Sequence, residues 1–203
     1  DLRNKIKEMI KDGRIGTLQY LYSNRLNLGK IRSEENVFWS LAPHDISLFQ
    51  FFTETYPSDI KAVGSAFVQK KIHDCTITHL SYPGGISGHI FVSWLNPFKE
   101  QKLVVTGAER MAVFDDTSPE KLLLYDQRVD FEKDLPILKK GGANSIPLPD
   151  LEPLRAECEH FVDCIKQREK PLTDGESGLR VLQVLEACQE SLENDGQRVF
   201  LNE

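Results

Sequence analysis

The stretch that decides the fold is Asp74-Cys-Thr-Ile-Thr-His-Leu-Ser-Tyr-Pro-Gly-Gly-Ile-Ser-Gly-His-Ile-Phe-Val-Ser-Trp-Leu95. Two runs rich in β-branched and aromatic residues, Asp74–Ser81 and Ile86–Leu95, flank the turn residues Tyr82-Pro-Gly-Gly85. This pattern predicts a β-hairpin. Apolar residues alternate with others along the second run. The alternation predicts one packed face and a second face that is exposed or covered by a partner.

Further strand patterns lie on both sides of this hairpin. They are Thr17–Leu28, Ile60–Lys71, Lys102–Thr106, Arg110–Phe114, Lys121–Tyr125 and a short final run, Gln197–Leu201. From Ile60 to Tyr125 no helical pattern separates the strands, so we expect an antiparallel meander rather than βαβ units. Gln127–Asp150 contains three prolines and two glycines and is predicted to be a long loop.

Helical patterns occupy the two ends of the chain and one segment near the first strand. Leu2–Asp12 predicts a short helix, and Glu152–Arg168 predicts another with one apolar side made by Leu154, Cys158, Phe161, Val162 and Ile165. Thr173-Asp-Gly-Glu176 matches a capping box and opens a helix that runs to about Asn194, before Gly196. We therefore predict a single α+β domain over residues 1–203, with a large, mostly antiparallel open sheet and helices on one face.

Composition excludes several classes of function. The net charge of −6 and the absence of a Lys/Arg run argue against a nucleic-acid partner. No apolar stretch is long enough for a bilayer, and no signal peptide is visible, so we expect no membrane partner and a cytoplasmic location. The four cysteines form no CxxC pair and the histidines lack ligand spacing, so we expect reduced, buried thiols and no metal site.

One histidine is the candidate for chemistry. In Val37-Phe-Trp-Ser-Leu-Ala-Pro-His-Asp-Ile-Ser-Leu-Phe49, Pro43 places His44 in the first turn of an amphipathic helix. His44 lies roughly 140° from the centre of the apolar stripe at about 100° per residue. The positive end of a helix dipole favours a neutral, proton-accepting imidazole, which suits a general base. A capping or packing role for His44 remains the alternative at this point.

The loop before this helix carries a polar cluster, Arg25, Asn27, Lys30 and Arg32. Arginine binds carboxylates and phosphates through two parallel hydrogen bonds, so the cluster is a candidate cradle for an anionic substrate group. A solvated loop without a binding role is the alternative.

Several segments in a fixed order resemble one family. They are Ser23-Asn-Arg-Leu-Asn27, Trp39-Ser-Leu-Ala-Pro-His-Asp45, Gly85-Ile-Ser-Gly-His-Ile-Phe-Val-Ser-Trp94, Val105-Thr-Gly107, Asp115-Asp116, Glu157-Cys-Glu-His-Phe-Val-Asp-Cys-Ile165, Pro171-Leu-Thr-Asp-Gly175 and Gly178-Leu-Arg-Val-Leu182. Together they resemble the C-terminal half of the glucose-fructose oxidoreductase / inositol dehydrogenase (Gfo/Idh/MocA) family, in its nucleotide-sugar and amino-sugar branch. The resemblance covers nearly the whole chain.

The resemblance implies a substrate-binding and dimerising domain that follows a Rossmann domain in a sugar oxidoreductase using NAD or NADP. His44 matches the family's histidine, which takes or delivers the proton of a sugar hydroxyl. Ser40 stands where the family has an aspartate; it can hydrogen-bond a sugar but cannot act as a base. The remaining alternatives are a non-catalytic dimerisation or ligand-sensing module and an NAD-dependent glycosidase or epimerase.

The same comparison shows what these residues lack. No Gly-x-Gly-x-x-Gly turn follows a strand, and Glu169-Lys-Pro171, which spells the family's lysine triplet, lies between two helices. Residues 1–14 resemble the tail of the inter-domain helix region. We therefore expect a fragment whose partners are a sugar or nucleotide sugar, its own Rossmann domain and a second copy through the sheet. We expect no cofactor to bind to it alone.

Overall fold

The computed structural model describes residues 2–148 and 152–201; the last two residues of the predicted loop lie outside this range. The helices are α1 (Leu2–Lys11), α2 (Val37–Leu41), α3 (Pro43–Thr53), α4 (Pro153–Gln167) and α5 (Gly175–Glu193). The strands are β1 (Leu18–Leu26), β2 (Asp59–Ser65), β3 (Cys75–Ser81), β4 (Ser87–Ser93), β5 (Glu100–Gly107), β6 (Met111–Asp115), β7 (Leu122–Tyr125), β8 (Arg128–Glu132), β9 (Leu135–Lys139), β10 (Ala143–Ser145) and β11 (Val199–Phe200).

Nine of these strands form one sheet in the order β10-β7-β6-β5-β1-β4-β3-β2-β11. The β3–β4 hairpin is confirmed, and every neighbouring pair is antiparallel except β1 and β4, which run parallel. The expected meander is therefore split, because β1 lies between β4 and β5. The helices α2 and α3 follow β1 and carry the chain away from it, and such a connection allows a strand to join the sheet in a parallel sense.

The second strand is shorter than the sequence predicts. β2 ends at Ser65, whereas the apolar pattern extends to Lys71. Asp74 is fully buried, and its carboxylate accepts hydrogen bonds from the backbone N–H groups of Phe67 and Val68. These two amides are thereby directed to a side chain instead of a neighbouring strand, so pairing stops and the chain turns.

The prediction of a long loop over 127–150 is wrong. β8 and β9 form a two-stranded hairpin closed by Lys133 and Asp134, which both have positive φ angles, 51° and 64°. A two-residue turn with positive φ at both positions matches the right-handed twist of the strands it joins. Pro136 is compatible with β9 because a two-stranded ribbon leaves half of its backbone donors unpaired. β10 then extends the large sheet beside β7.

The helices α1, α3 and α5 cover one face of the sheet, as the fold class predicts. The core beneath them includes Ile6, Met9, Leu21, Ile46, Phe49, Ile60, Leu80, Ile90, Val92, Val184 and Cys188. At the centre of the sheet, β4 brings Gly88 against β1 and α3. A Cβ atom at Gly88 would lie 2.6 Å from the carbonyl oxygen of Leu21 and 3.0 Å from the ring of Phe49. The absence of a side chain at this position lets α3 pack closely on the sheet.

The C-terminal helices differ from the prediction in two respects. The predicted apolar side of α4 is exposed, and Cys158 on that side is exposed as well, whereas Cys164 and Cys188 are buried. The N-cap of α5 is Asp174 rather than Thr173, because the Asp174 carboxylate accepts a hydrogen bond from the Ser177 N–H at 2.7 Å. The Asp174 side chain thus pairs with a first-turn N–H group that has no partner within the helix, as the side chain of a capping-box residue would.

The other face of the sheet carries an apolar band in which Val63 and Ile77 are exposed, Val104 is buried and the remaining side chains are half-buried. This outer band consists of Val63, Ile77, Phe91, Tyr22, Val104, Val113 and Leu123. Beside it, His89 stacks on Tyr22 with ring centroids 5.1 Å apart and shares a 2.8 Å hydrogen bond with Tyr20. Partial burial lowers the pKa of His89 below its usual value, and the neighbouring His79 lowers it further.

Substitution at Gly88 tests how closely α3 packs on the sheet. We expect Gly88→Ala to lower the free energy of unfolding by about 1–3 kcal/mol, because the new methyl group overlaps the Leu21 carbonyl. Gly178→Ala is the matched control: its Cβ meets no atom within 4 Å and α5 is helical there. The control should raise stability by about 0.5–1 kcal/mol. Urea unfolding measures both, and an unchanged Gly88→Ala midpoint would contradict the packing.

Candidate functional site

His44 is the second residue of α3, just after the junction with α2, and is exposed. α3 begins at Pro43 as predicted, but Ala42 before it is also helical, with φ −75° and ψ −18°, and provides no side-chain cap. The capped start of the helical segment is Asn36, whose side-chain oxygen accepts from the N–H groups of Phe38 and Trp39. His44 therefore stands eight positions after the capped N-terminus rather than at it, and the helix dipole acts mainly near Asn36.

Asp45, next to His44, points the other way, into the protein. Its carboxylate forms two hydrogen bonds with Arg25 near the end of β1, from Nε at 2.9 Å and from Nη2 at 3.1 Å. The Asp45 side chain is only 4% exposed and that of Arg25 is 19% exposed. A bidentate pair of this kind fixes both distance and orientation. It joins the first turn of α3 to the central strand of the sheet and so holds His44 in place.

The helices α2 and α3 together form one helical segment, and contacts with α5 and α1 fix its two ends. Gln189 on α5 accepts hydrogen bonds from the Asn36 amide at 2.8 Å and from the Trp39 indole at 3.3 Å. At the far end, Lys7 of α1 donates to the Phe52 carbonyl at 3.1 Å and pairs with Glu54 at 2.9 Å. A lysine at a helix C-terminus compensates the unpaired carbonyls and the negative end of the dipole. Its hydrogen bond lowers the pKa of Glu54.

His44 shares one side of the helical segment with a polar cleft. Ser40 precedes it by four positions, is half-buried, and follows the same helical row because the chain stays helical through Ala42. Ser47 and Leu48 continue this row and line a cleft of about 180 Å³. Across the cleft, Arg180 of α5 lies 4.4 Å from the ring centre of Tyr56. The cleft walls thus offer hydroxyl groups, a guanidinium and an aromatic ring.

The proposed anion cradle is partly occupied by internal partners. Arg25 is paired with Asp45, and Arg32 is paired with Glu35 at 3.1 Å. Asn27 is exposed just after β1, where its backbone N–H donates to the Ser93 carbonyl at 3.1 Å, and Lys30 is exposed in the loop. Only Arg25 of the four is held against the helix that carries His44. Substrate binding by this cluster and by Ser40 stays a prediction.

Within residues 2–148 and 152–201, no group of three or more His, Cys, Asp or Glu side chains could hold a metal ion, and no helix is long and apolar enough to cross a membrane. Lys170 of the Glu-Lys-Pro triplet pairs with Asp174 at 2.6 Å and Glu176 at 3.2 Å at the start of α5. These contacts give the triplet a local structural role.

Sequence reasoning missed the residues that hold His44 in position. Asp45 points away from His44, and its partner Arg25 lies 20 positions earlier, so no local pattern connects the two. Gln189 lies 153 positions from Asn36. An aspartate in the first turn of a helix is ordinarily explained by the helix dipole, so no feature of the sequence indicates that Asp45 has a buried partner.

The Arg25–Asp45 pair can be tested by unfolding measurements. We expect Asp45→Ala to cost about 3–5 kcal/mol, because it leaves a mostly buried guanidinium without a counter-charge. Arg25→Met combined with Asp45→Leu should cost less than the sum of the single changes, since neither charge then remains buried. Glu159→Ala, which breaks an exposed 2.8 Å pair with Arg155, is the control and should cost less than about 0.5 kcal/mol. Additive single costs would contradict a coupled pair.

Comparison with known structures shows the same fold. A UDP-N-acetylglucosamine 3-dehydrogenase, GnnA, from Acidithiobacillus ferrooxidans matches with a TM-score of 0.77 and 23% identity over 93% of this chain and 59% of that one. A putative NADPH-dependent oxidoreductase from Desulfitobacterium hafniense gives 0.79 and 19% over 97% and 60%. The WlbA dehydrogenase from Bordetella pertussis, in complex with NADH and UDP-GlcNAcA, gives 0.72 and 17% over 98% and 61%.

The chain therefore spans about three fifths of the length of these structures. The comparison with proteins of curated function finds no match. The sequence model of the GFO/IDH/MocA C-terminal domain matches residues 4–113, which include β1, the His44 helix and the sheet through most of β6. This chain belongs to the GFO/IDH/MocA C-terminal domain family.

Proposed function

We propose that this chain is the substrate-binding half of an NAD(P)-dependent oxidoreductase that oxidises or reduces a hydroxyl or ketone of a sugar or nucleotide sugar. His44 exchanges the proton of that hydroxyl. The observation that carries the proposal is the exposed imidazole of His44 on a helix whose first turn is locked to β1 by the buried Arg25–Asp45 pair. A general acid–base group must be accessible to substrate and held in a fixed orientation.

The cofactor would be held by another part of the protein. Dinucleotides bind at a glycine-rich turn between a parallel strand and a helix. The described residues contain no such turn, and their one parallel strand pair, β1 and β4, is not a βαβ unit because β2 and β3 intervene. NAD or NADP would supply the hydride acceptor or donor. We infer that a dinucleotide-binding domain precedes the described residues, in line with the greater length of the similar structures.

The polar side of α3 supports the proposed substrate class. Ser40 offers a hydroxyl on the same row as His44, and the next turn opens into the cleft with Ser47 and Arg180. Hydroxyl groups suit a sugar. The Arg180 guanidinium pairs with Glu176 at 2.6 Å and would bind an anionic group such as a diphosphate by exchanging that partner. Two of the similar structures are described as a UDP-N-acetylglucosamine 3-dehydrogenase and as a dehydrogenase holding UDP-GlcNAcA, which supports nucleotide sugars as the first candidates.

The outer band of the sheet would join two copies of the chain. Val63 and Ile77 on this face are 54% and 48% exposed, and they continue into the half-buried ring of Phe91. A contiguous apolar surface of this kind is typical of an interface, and one face can pair with itself about a twofold axis. Dimerisation would leave the opposite, helical face free for substrate.

The role of His44 is tested in the full-length gene product. We expect His44→Gln to lower kcat/KM about 10²- to 10⁴-fold, because glutamine cannot exchange the proton. Glu132→Gln, on β8, which pairs with β9 in the separate two-stranded hairpin, is the control and should leave kcat/KM unchanged. The measurement is formation of reduced nicotinamide from a panel of UDP-N-acetylhexosamines, their uronates and free aldoses, recorded across pH.

The same panel separates the alternative functions. A second candidate, a ligand-sensing module without chemistry, is favoured by Ser40 and by the commitment of Asp45 to Arg25. Ligand binding that raises the melting temperature, with no turnover and no effect of His44→Gln on any reaction, would support that module and contradict the oxidoreductase. Net bond cleavage or epimerisation without net reduction would indicate a glycosidase or epimerase instead.

The dimer is tested by light scattering at micromolar concentration. We expect a dimer, and Ile77→Asp should convert it to a monomer because it buries an unpaired charge in the interface. Phe67→Asp is the control, since Phe67 is 74% exposed in the turn after β2 and lies outside the outer band. A monomeric unsubstituted protein, or equal effects of the two changes, would contradict an interface on this face.

A further inference from the structure

Two neighbouring loops at one end of the sheet carry exposed basic and aromatic side chains. The first loop follows β1 and the second follows β2. The Gln69 side chain of the second loop donates a hydrogen bond to the Arg32 carbonyl of the first at 2.8 Å, which ties the two loops together. We define the two-loop surface as four exposed side chains of these loops: Lys30, Phe67, Lys70 and Lys71.

The second loop is held in place by hydrogen bonds at both of its ends. The fully buried carboxylate of Asp74 accepts the backbone N–H of Phe67, whose ring is nevertheless 74% exposed. The Ile72 N–H donates to the Gln69 carbonyl at 3.3 Å, so the two lysines between them lie at the tip of a tight turn. A loop that is already ordered loses little conformational entropy when a ligand binds to it.

One of these lysines has a backbone conformation that its residue type disfavours. Lys71 has a φ of +71°, in the left-handed region that glycine adopts without steric cost and that an L side chain rarely adopts. The turn by itself would be better served by glycine. Residues held in such conformations are concentrated at binding and catalytic sites. The side chain of Lys71 is therefore the part of this residue that calls for a functional explanation.

The charges of the two-loop surface are available to a ligand. Among the residues that the structure describes, its three lysines form no ion pair, whereas Arg180 in the cleft pairs with Glu176 at 2.6 Å. Residues 27–36 and 66–73 together contain four Lys or Arg and two Glu, a net charge of +2, while the whole chain carries −6. Unpaired cations beside an exposed aromatic ring suit a ligand that has negative charges and a planar ring.

The two-loop surface lies within reach of a substrate that contacts His44. The Val37 N–H donates to the His73 carbonyl at 3.0 Å, so the second loop contacts the first turn of α2. His44 follows Val37 by seven positions in the same helical segment, which corresponds to about 10 Å at roughly 1.5 Å per residue. In a nucleotide sugar the base and the sugar are at opposite ends of the molecule, with the two phosphates between them.

We propose that the two-loop surface binds the nucleoside diphosphate part of the substrate, an inference that rests on the proposed function. The lysine ammonium groups pair with the diphosphate, and the Phe67 ring stacks on the base. These side chains distinguish a nucleotide sugar from a free sugar, while His44 exchanges the proton of the hydroxyl. The diphosphate then lies at the loops rather than in the cleft that Arg180 lines.

Calorimetry of the full-length gene product tests the inference with two probes, UDP and inorganic pyrophosphate. We expect Lys70→Ala to weaken the binding of both probes about tenfold, because each loses a charged hydrogen-bond donor. Phe67→Ala should weaken UDP binding at least about fivefold and leave pyrophosphate binding unchanged, since pyrophosphate has no base to stack. Lys71→Gly should weaken the binding of both probes and raise the melting temperature, because glycine adopts the positive φ without strain.

The β8–β9 hairpin provides matched controls for two of these substitutions. Lys133 is exposed and also has a positive φ, 51°, and Phe131 is 71% exposed. Lys133→Gly and Phe131→Ala therefore make the same chemical changes away from the two loops. Neither control should change the affinity for either probe.

The possible results separate this inference from the proposed function. UDP binding that the loop substitutions leave unchanged, or that Arg180→Gln alone weakens, would overturn the inference and leave the proposed function intact. Oxidation of free sugars by a protein that does not bind UDP would do the same. UDP binding that responds to the loop substitutions as expected, in a protein that oxidises or reduces no sugar, would support the two-loop surface and contradict the proposed function.

Discussion

The buried ion pair between Arg25 and Asp45 is the contact on which the site depends. It connects β1, the central strand of the sheet, to the first turn of the helix that carries His44. Because both charges are largely removed from water, each needs the other, and neither residue can move without leaving a buried charge unpaired. Because His44 is next to Asp45 in the first turn of α3, the ion pair also fixes the position of the backbone that carries the imidazole.

The position of β1 in the sheet also determines where the helical face is built. β1 lies between the hairpin strands β2–β4 and the strands β5–β7, so it unites two antiparallel halves into one sheet. Gly88 on β4 lets Phe49 of α3 approach β1 closely. The helical face is thus built over the one strand that contacts both halves, and the outer band on the opposite face is left continuous. The helical face carries His44 and the cleft, and the opposite face carries the outer band.

The chain also carries an apolar surface that its own fold does not use. α5 packs on β2 and β11 with one side, whereas its other side and the long row on α4 remain exposed. Such a surface costs solubility when nothing covers it, and hydrophobic sides of helices are ordinarily buried.

Local sequence determined the β3–β4 hairpin, most strand positions, the start of α3 at Pro43 and the end of α5 before Gly196, since turn residues and short-range periodicity act over a few positions. The resemblance carried by several segments also identified the family, and it made His44 the candidate for proton exchange, a role that stays a prediction. Only the tertiary structure decided the insertion of β1, the strands within 127–148, the Arg25–Asp45 pair and the exposure of α4. These features depend on contacts between residues far apart in the chain, or on a Lys-Asp turn with no strong local signal. An apolar stripe indicates that a helix side is to be buried, but its partner is set by whichever element the folded chain brings against it.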